Sequence, residues 1–171
     1  MEKTKNIEII GKIAWLWACS PLHKNWSTSL LMSNTLPAIK HEQYILIERD
    51  NFPVAFCSWA NLNLEKEIEY LNNVTSLQLD DWNTGDRKWI IDWIAPFGDN
   101  QTLYKKMRDK FPYGLFRAIR IDTFNHTGKI TEFHGGKIDK RLAKDMFTKY
   151  QRDFIEKIKT SKNLKFNLNN R

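Results

Sequence analysis

Two polar residues stand out because their neighbours are apolar. His23 lies in ACSPLHKNW. Serine followed by proline suits an N-cap and first helical position, which predicts a helix over 21–34 with His23 in its first turn. The partial positive charge of a helix start disfavours imidazolium and would keep the ring neutral, the form a general base needs. A half-buried histidine that only returns a capping hydrogen bond fits the same position. Asp92 interrupts WIIDWIA, where strand alternation puts it on one face with Ile90 and Ile94. A carboxylate there must be satisfied, because burying it bare is costly. A histidine N–H could satisfy it and so fix a catalytic tautomer. An ion pair with Arg87, Arg117 or Arg120 could do so as well.

Ser20 and Cys19 are candidate nucleophiles beside His23, although a cap and a small packed thiol explain them better. Arg117 and Arg120 occupy LFRAIRID, an apolar strand in which at least one guanidinium points to the core or to a cleft. Either could hold a phosphate or carboxylate of a substrate, and either could serve a structural salt bridge. Ser20, Arg117 and Arg120 are therefore the candidate substrate-binding residues. His134-Gly135-Gly136 could bring backbone close to a ligand or form a plain turn. No P-loop, GxGxxG, HExxH, CxxC or GxSxG pattern occurs, and no metal site is expected.

The elements that must position these residues follow from periodicity. Residues 5–18 carry Ile7, Ile10, Ala14 and Trp17 at helical spacing, with Ile9, Ile13 and Leu16 beside them. Two strands, Gln43–Arg49 and Val54–Ala60, flank a turn at Asp50-Asn51-Phe52-Pro53. A helix over Leu62–Leu71, a polar stretch over Thr75–Asp86 and a central buried strand over Lys88–Ala95 come next. Asp99 could cap a helix over Gln101–Phe111. Strands over Leu115–Thr123 and Lys129–His134, with a turn around Phe124–Gly128, precede a long helix from Asp139 to Lys159. That helix would bury Leu142, Met146, Tyr150 and Phe154, and the chain from about residue 160 reads as a flexible tail. The order ααββαβαββα predicts an α+β domain with a mixed, mostly antiparallel sheet flanked by helices.

Composition bounds the function classes. The length of 171 residues suits one domain, and 42% hydrophobic residues with seven tryptophans can bury a core. No apolar stretch approaches the ~20 residues of a membrane span. The N-terminus reads as a mature amphipathic helix rather than a signal peptide. Two cysteines are too few for a disulfide framework, which fits a reducing cytoplasm. The net charge of +7 points to an acidic partner: nucleic acid, an anionic membrane surface or an acidic protein. A nucleic-acid-binding module is the rival class, but its aromatics would have to lie among basic residues, and here they lie in apolar runs.

The stretches WLWACSPLHKNW, RDNFPVAFCSWANL, TGDRKWIIDWIAPFGDN, LFRAIRID and EFHGGKIDK, in this order over nearly the whole chain, resemble the bacterial acyltransferases that activate RTX cytolysins. The resemblance implies a GNAT-like acyltransferase fold. It also implies fatty acyl transfer in the cytoplasm from the phosphopantetheine thioester of acyl carrier protein, with no permanently bound cofactor. The acceptors would be internal lysines of an RTX protoxin. In that family the histidine of SPLH and the aspartate of IDWIAPFG are catalytic, which maps to His23 and Asp92. Members are expected to be homodimers. Relatives commonly have Ser-Ser before the proline where this chain has Cys19-Ser20, which argues against an essential nucleophile at position 19. A non-catalytic chaperone for the toxin is the remaining alternative.

Overall fold

The computed structural model describes residues 2–122 and 127–168. The apolar N-terminal stretch forms α1 (Glu2–Cys19), which buries Ile13, Leu16 and Trp17. The stripe that meets the sheet runs through Ile9, Ile13 and Leu16, so Ile7 is left 69% exposed. No helix starts at Ser20-Pro21. Proline cannot continue α1, and the pair acts as a stop signal, followed by turns over residues 20–26. The next helix, α2 (Thr28–Lys40), begins at Ser27, whose hydroxyl accepts from the Leu30 N–H, and it runs through Pro37 instead of ending before it. A proline near a helix end removes one backbone bond, and here the buried contacts of Leu31, Ala38 and Ile39 outweigh that loss.

β1 (Tyr44–Arg49) and β2 (Phe52–Leu62) form a hairpin. Its turn is Asp50-Asn51 alone, both with positive φ (51° and 62°), the type I′ geometry that matches strand twist. Phe52 and Pro53 therefore belong to β2. α3 (Leu64–Asn72), capped by the Asn63 side chain, and a single 3-10 turn over Leu79–Trp82 lead to β3 (Arg87–Ile94). α4 (Asn100–Lys110) then crosses over to β4 (Leu115–Asp122), which pairs with β5 (Thr127–His134). The turn expected around 124–128 lies mostly outside the described residues.

The five strands lie in the order β1-β2-β3-β4-β5, antiparallel except for β3 and β4. A parallel pair needs a crossover, which α4 supplies. α1, α2 and α3 cover one face, over Phe56, Ala60 and Trp89. α4 covers the other, packing Leu103 and Met107 on Cys57, Trp59 and Ile90. The long C-terminal helix α5 (Lys140–Leu168) docks at the start of β4 through Ala143 and Phe147. Of the expected stripe, Tyr150 packs on this cluster and Phe154 is half-buried, but Ala143 and Phe147 take the places expected for Leu142, which is 53% exposed, and Met146, which is at the surface. The result is the α+β class, with a mostly antiparallel sheet, that the element order predicts.

Candidate active site

Asp92 reaches its position through a β-bulge. β2 and β3 pair in register from Leu62↔Arg87 to Trp59↔Ile90, then resume at Ser58↔Asp92, so Ile91 is an extra residue in β3. One extra residue reverses which face the following side chains take. Ile90 packs on the α4 side with Trp59, whereas Ile94 packs on the α1/α2 side with Phe56. Asp92 shares a face with Ile94 but not with Ile90, which corrects simple alternation. The bulge aims a 2%-exposed carboxylate at the α1–α2 connection.

That connection carries His23, which is 3% exposed. The ring is wedged between Trp17 and Trp26, with centroids 5.0 and 4.6 Å away. Backbone bonds from His23 N to Ser20 O (3.1 Å) and from Trp26 N to His23 O (2.8 Å) fix the turn that holds it. Because α1 ends at Cys19 and α2 starts at Thr28, His23 does not lie in the first turn of a helix, contrary to the sequence expectation. Its two nitrogens are instead addressed by side chains. Nδ1 lies 2.7 Å from Ser20 Oγ, and Nε2 lies 3.5 Å from Asp92 Oδ1. Ser20 is thus a partner of the ring rather than the cap of a helix.

Asp92 is under-satisfied. Oδ1 receives only the Asn34 Nδ2–H bond at 3.5 Å and faces His23, and Oδ2 is buried with no hydrogen-bond partner among the described residues. Asn34, from α2, is a site residue that sequence reasoning missed. Its only signal is a polar side chain beside the buried stripe Leu31-Thr35-Ala38.

A cavity of about 800 Å³ opens beside this pair. β3 and β4 pair only over Lys88–Ile90 and Phe116–Ala118, and beyond that point they part. The cavity fills the gap. Leu22, His23 and Trp26 line it from the α1/α2 side, and Trp93, Tyr104 and Phe133 from the α4 side, so it passes through the sheet. Arg120 also lines it and is exposed.

Arg117 goes elsewhere. It is buried in an ion pair with Glu67 of α3 and stacks on Trp89 (4.6 Å) and Tyr150 (5.1 Å). Glu67, 0% exposed, also accepts from Arg87 Nη1 (2.8 Å) and Trp89 Nε1 (2.7 Å). Arg117 does not line the cavity. Burial pushes its guanidinium down from its usual range, and the neighbouring Glu67 opposes that shift. Gly135 approaches the protein's own backbone: a Cβ there would lie 2.1 Å from Phe111 O, so the close approach expected at this glycine is structural. Cys57 is buried, and its thiol is pushed up by burial and by the nearby Asp92 charge. Among the described residues no group of three His, Cys, Asp or Glu side chains could hold a metal. No helix there is long and apolar enough to cross a membrane.

A histidine that lines a mostly apolar cavity in a parted sheet, with a buried carboxylate behind it, has the makings of a base beside a site for an apolar group. Comparison with known proteins gives the family. The model of the RTX toxin acyltransferase family matches residues 2–134, and the chain belongs to this family of acyltransferases. It is 59% identical to the RTX-I toxin-activating lysine-acyltransferase ApxIC of Actinobacillus pleuropneumoniae, over 99% of this chain and 98% of that one. It is 59% identical to the protein-lysine myristoyltransferase HlyC of Escherichia coli, over 98% and 99%. It is 62% identical to the leukotoxin-activating lysine-acyltransferase LtxC of Aggregatibacter actinomycetemcomitans, over 93% and 95%.

Proposed function

We propose that this enzyme moves a fatty acyl group from the thioester of an acyl carrier protein to internal lysines of an RTX protoxin, with His23 as general base. The observation that carries the reading is His23 itself, which faces Asp92 with one nitrogen and lines the cavity. The relatives' names support lysine as acceptor, a toxin as substrate and myristoyl as an acyl group. The carrier-protein donor, a cytoplasmic setting and homodimer formation rest on the sequence resemblance. The net charge of +7 suits docking of an acidic carrier. A GNAT-like fold is supported by the α+β order and by a parallel strand pair that parts over the cavity.

The chemistry needs a neutral amine, yet a free lysine with pKa ~10.4 is almost wholly protonated near neutrality. The 2.7 Å contact to Ser20 fixes the ring if Nδ1–H donates to Ser20 Oγ, which leaves the lone pair on Nε2. The lysine attacks the thioester carbonyl as the neutral amine, its ammonium proton already lost to solvent, and the proton shed by the nitrogen as the C–N bond forms passes to Nε2. The Asp92 carboxylate, 3.5 Å away, stabilises the imidazolium. Backbone N–H groups of β3 and β4 beyond Ile90 and Ala118, where the two strands no longer pair, are the candidate donors to the oxyanion. Collapse of the tetrahedral intermediate forms the amide, breaks the C–S bond and returns the proton to the thiolate. Ser20 is 7% exposed and does not line the cavity, which favours direct transfer over an acyl-serine.

The test mixes purified enzyme, myristoyl-acyl carrier protein and protoxin, and maps modified lysines by mass spectrometry. Myristoylated internal lysines are expected with wild type and absent with His23→Ala. Full protoxin activation by His23→Ala would instead indicate a chaperone.

A further inference from the structure

Ser58 is wholly buried in the middle of β2, between Phe56 and Ala60, which pack on the α1/α2 side. It is the direct cross-strand partner of Asp92, at the point where the register resumes after the bulge. Directly opposed residues of an antiparallel pair place their Cβ atoms about 4.5–5.5 Å apart on the same face. Ser58 Oγ and Asp92 Oδ2 are both buried without a hydrogen-bond partner. A hydroxyl has one donor to give, and an ionised carboxylate can only accept. Two such atoms on neighbouring positions, each costly to leave unpaired, would satisfy one another once the Ser58 side chain turns about χ1 or one water bridges them.

We infer that Ser58 is a positioning residue that donates to Asp92 Oδ2 and so turns Oδ1 toward His23. This rests on the reading of His23 and Asp92 as the catalytic pair. Without the hydroxyl, the carboxylate would be held only by the long Asn34 contact. Other titratable groups within reach of the Asp92 charge are Cys57 of β2 and Tyr70 of α3. Burial first, and Asp92 second, push both upward, away from neutral pH. His23 and Asp92 are left as the pair that answers to Ser58.

Ser58→Ala, Ser58→Thr and His23→Ala are compared with wild type in single-turnover lysine acylation across pH, with thermal unfolding alongside. Ser58→Ala should fold normally and lose about tenfold in kcat, the equivalent of one hydrogen bond to a charged group. Its KM for donor should not change. Losing a donor raises the carboxylate's proton affinity, so the acid limb of the pH profile should move to higher pH. Ser58→Thr, which keeps the hydroxyl, should restore the limb. A Ser58→Ala enzyme with wild-type kcat and acid limb, beside an inactive His23→Ala, overturns the role of Ser58 alone. An active His23→Ala would overturn the catalytic reading beneath it.

Discussion

Arg87 at the start of β3 and Asp92 near its end are both buried charges, and their surroundings differ in kind. Around Arg87 the carboxylate of Glu67 is shared by two guanidinium groups and an indole N–H, while Asp153 and the Tyr150 carbonyl accept from two further Arg87 N–H groups. Around Asp92 one oxygen has two partners at 3.5 Å and the other has none. Well paired, the first cluster ties α3, β3, β4 and α5 together and does not line the cavity. The second is held loosely beside a cavity, and its imidazole can still take a proton. Buried charges that only stabilise a fold tend to be fully paired, whereas a working group must keep capacity in reserve.

Breaking the loose end should cost activity and spare the fold. Asp92→Asn keeps shape but removes the charge that stabilises imidazolium, and should lower kcat by about 10²–10⁴-fold. Its thermal midpoint should stay within a few degrees of wild type; unchanged turnover would remove Asp92 from the mechanism. Breaking the well-paired end should do the reverse. Glu67→Ala takes from buried Arg117 the carboxylate it pairs with, leaves Arg87 with the Asp153 carboxylate alone, and should cost about 3–5 kcal/mol of stability. Urea unfolding reads this directly, and a loss under 1 kcal/mol would show that the cluster is not the tie described.

Ser20→Ala sharpens the comparison further. The hydroxyl orients His23 from behind, so its loss should slow turnover about tenfold through lost tautomer control. Burst kinetics with labelled donor should show no acyl-enzyme in wild type; a trapped acyl-Ser20 would replace direct transfer with a covalent route. The smallest effect is expected at Lys88, between the two ends. Its amine donates to Asn61 Oδ1 and lies 4.5 Å over the Phe111 ring, and burial lowers its pKa to about 8. Between this value and the unfolded 10.5 the unfolded chain binds more protons, so the burial penalty is full below pH 8 and fades toward pH 10.5. Lys88→Met should therefore stabilise by about 1 kcal/mol or less at pH 7, with the gain shrinking as pH rises above 8. A gain that grows with pH would contradict that sign.

Much of this layout was legible in the sequence. Element order and the central place of β3 follow from apolar periodicity. The cost of a bare buried carboxylate demands a partner for Asp92 but leaves His23 and three arginines open, and the family resemblance selects His23. What was not legible depends on register or on contacts distant in the chain. The bulge at Ile91 is set by how β2 meets β3, and no local pattern in WIIDWIA announces it. Ser20-Pro21 and Ser27-Thr28 are equally good helix starts by residue type, and only the packing of Leu31 and Ala38 selects the second. Glu67 sits in a charged helix, LEKEIEYLN, whose apolar residues give no sign that a glutamate would be the one buried. Its burial follows from two arginines that arrive 20 and 50 residues later.

The central claim, that His23 removes the proton while the rest of the buried charge holds the fold, is tested most directly by single-turnover acylation with His23→Ala. The mutant should keep wild-type thermal stability and donor binding while lysine acylation falls at least 10²-fold. A stable, donor-binding His23→Ala enzyme that acylates its lysines at the wild-type rate would contradict the account.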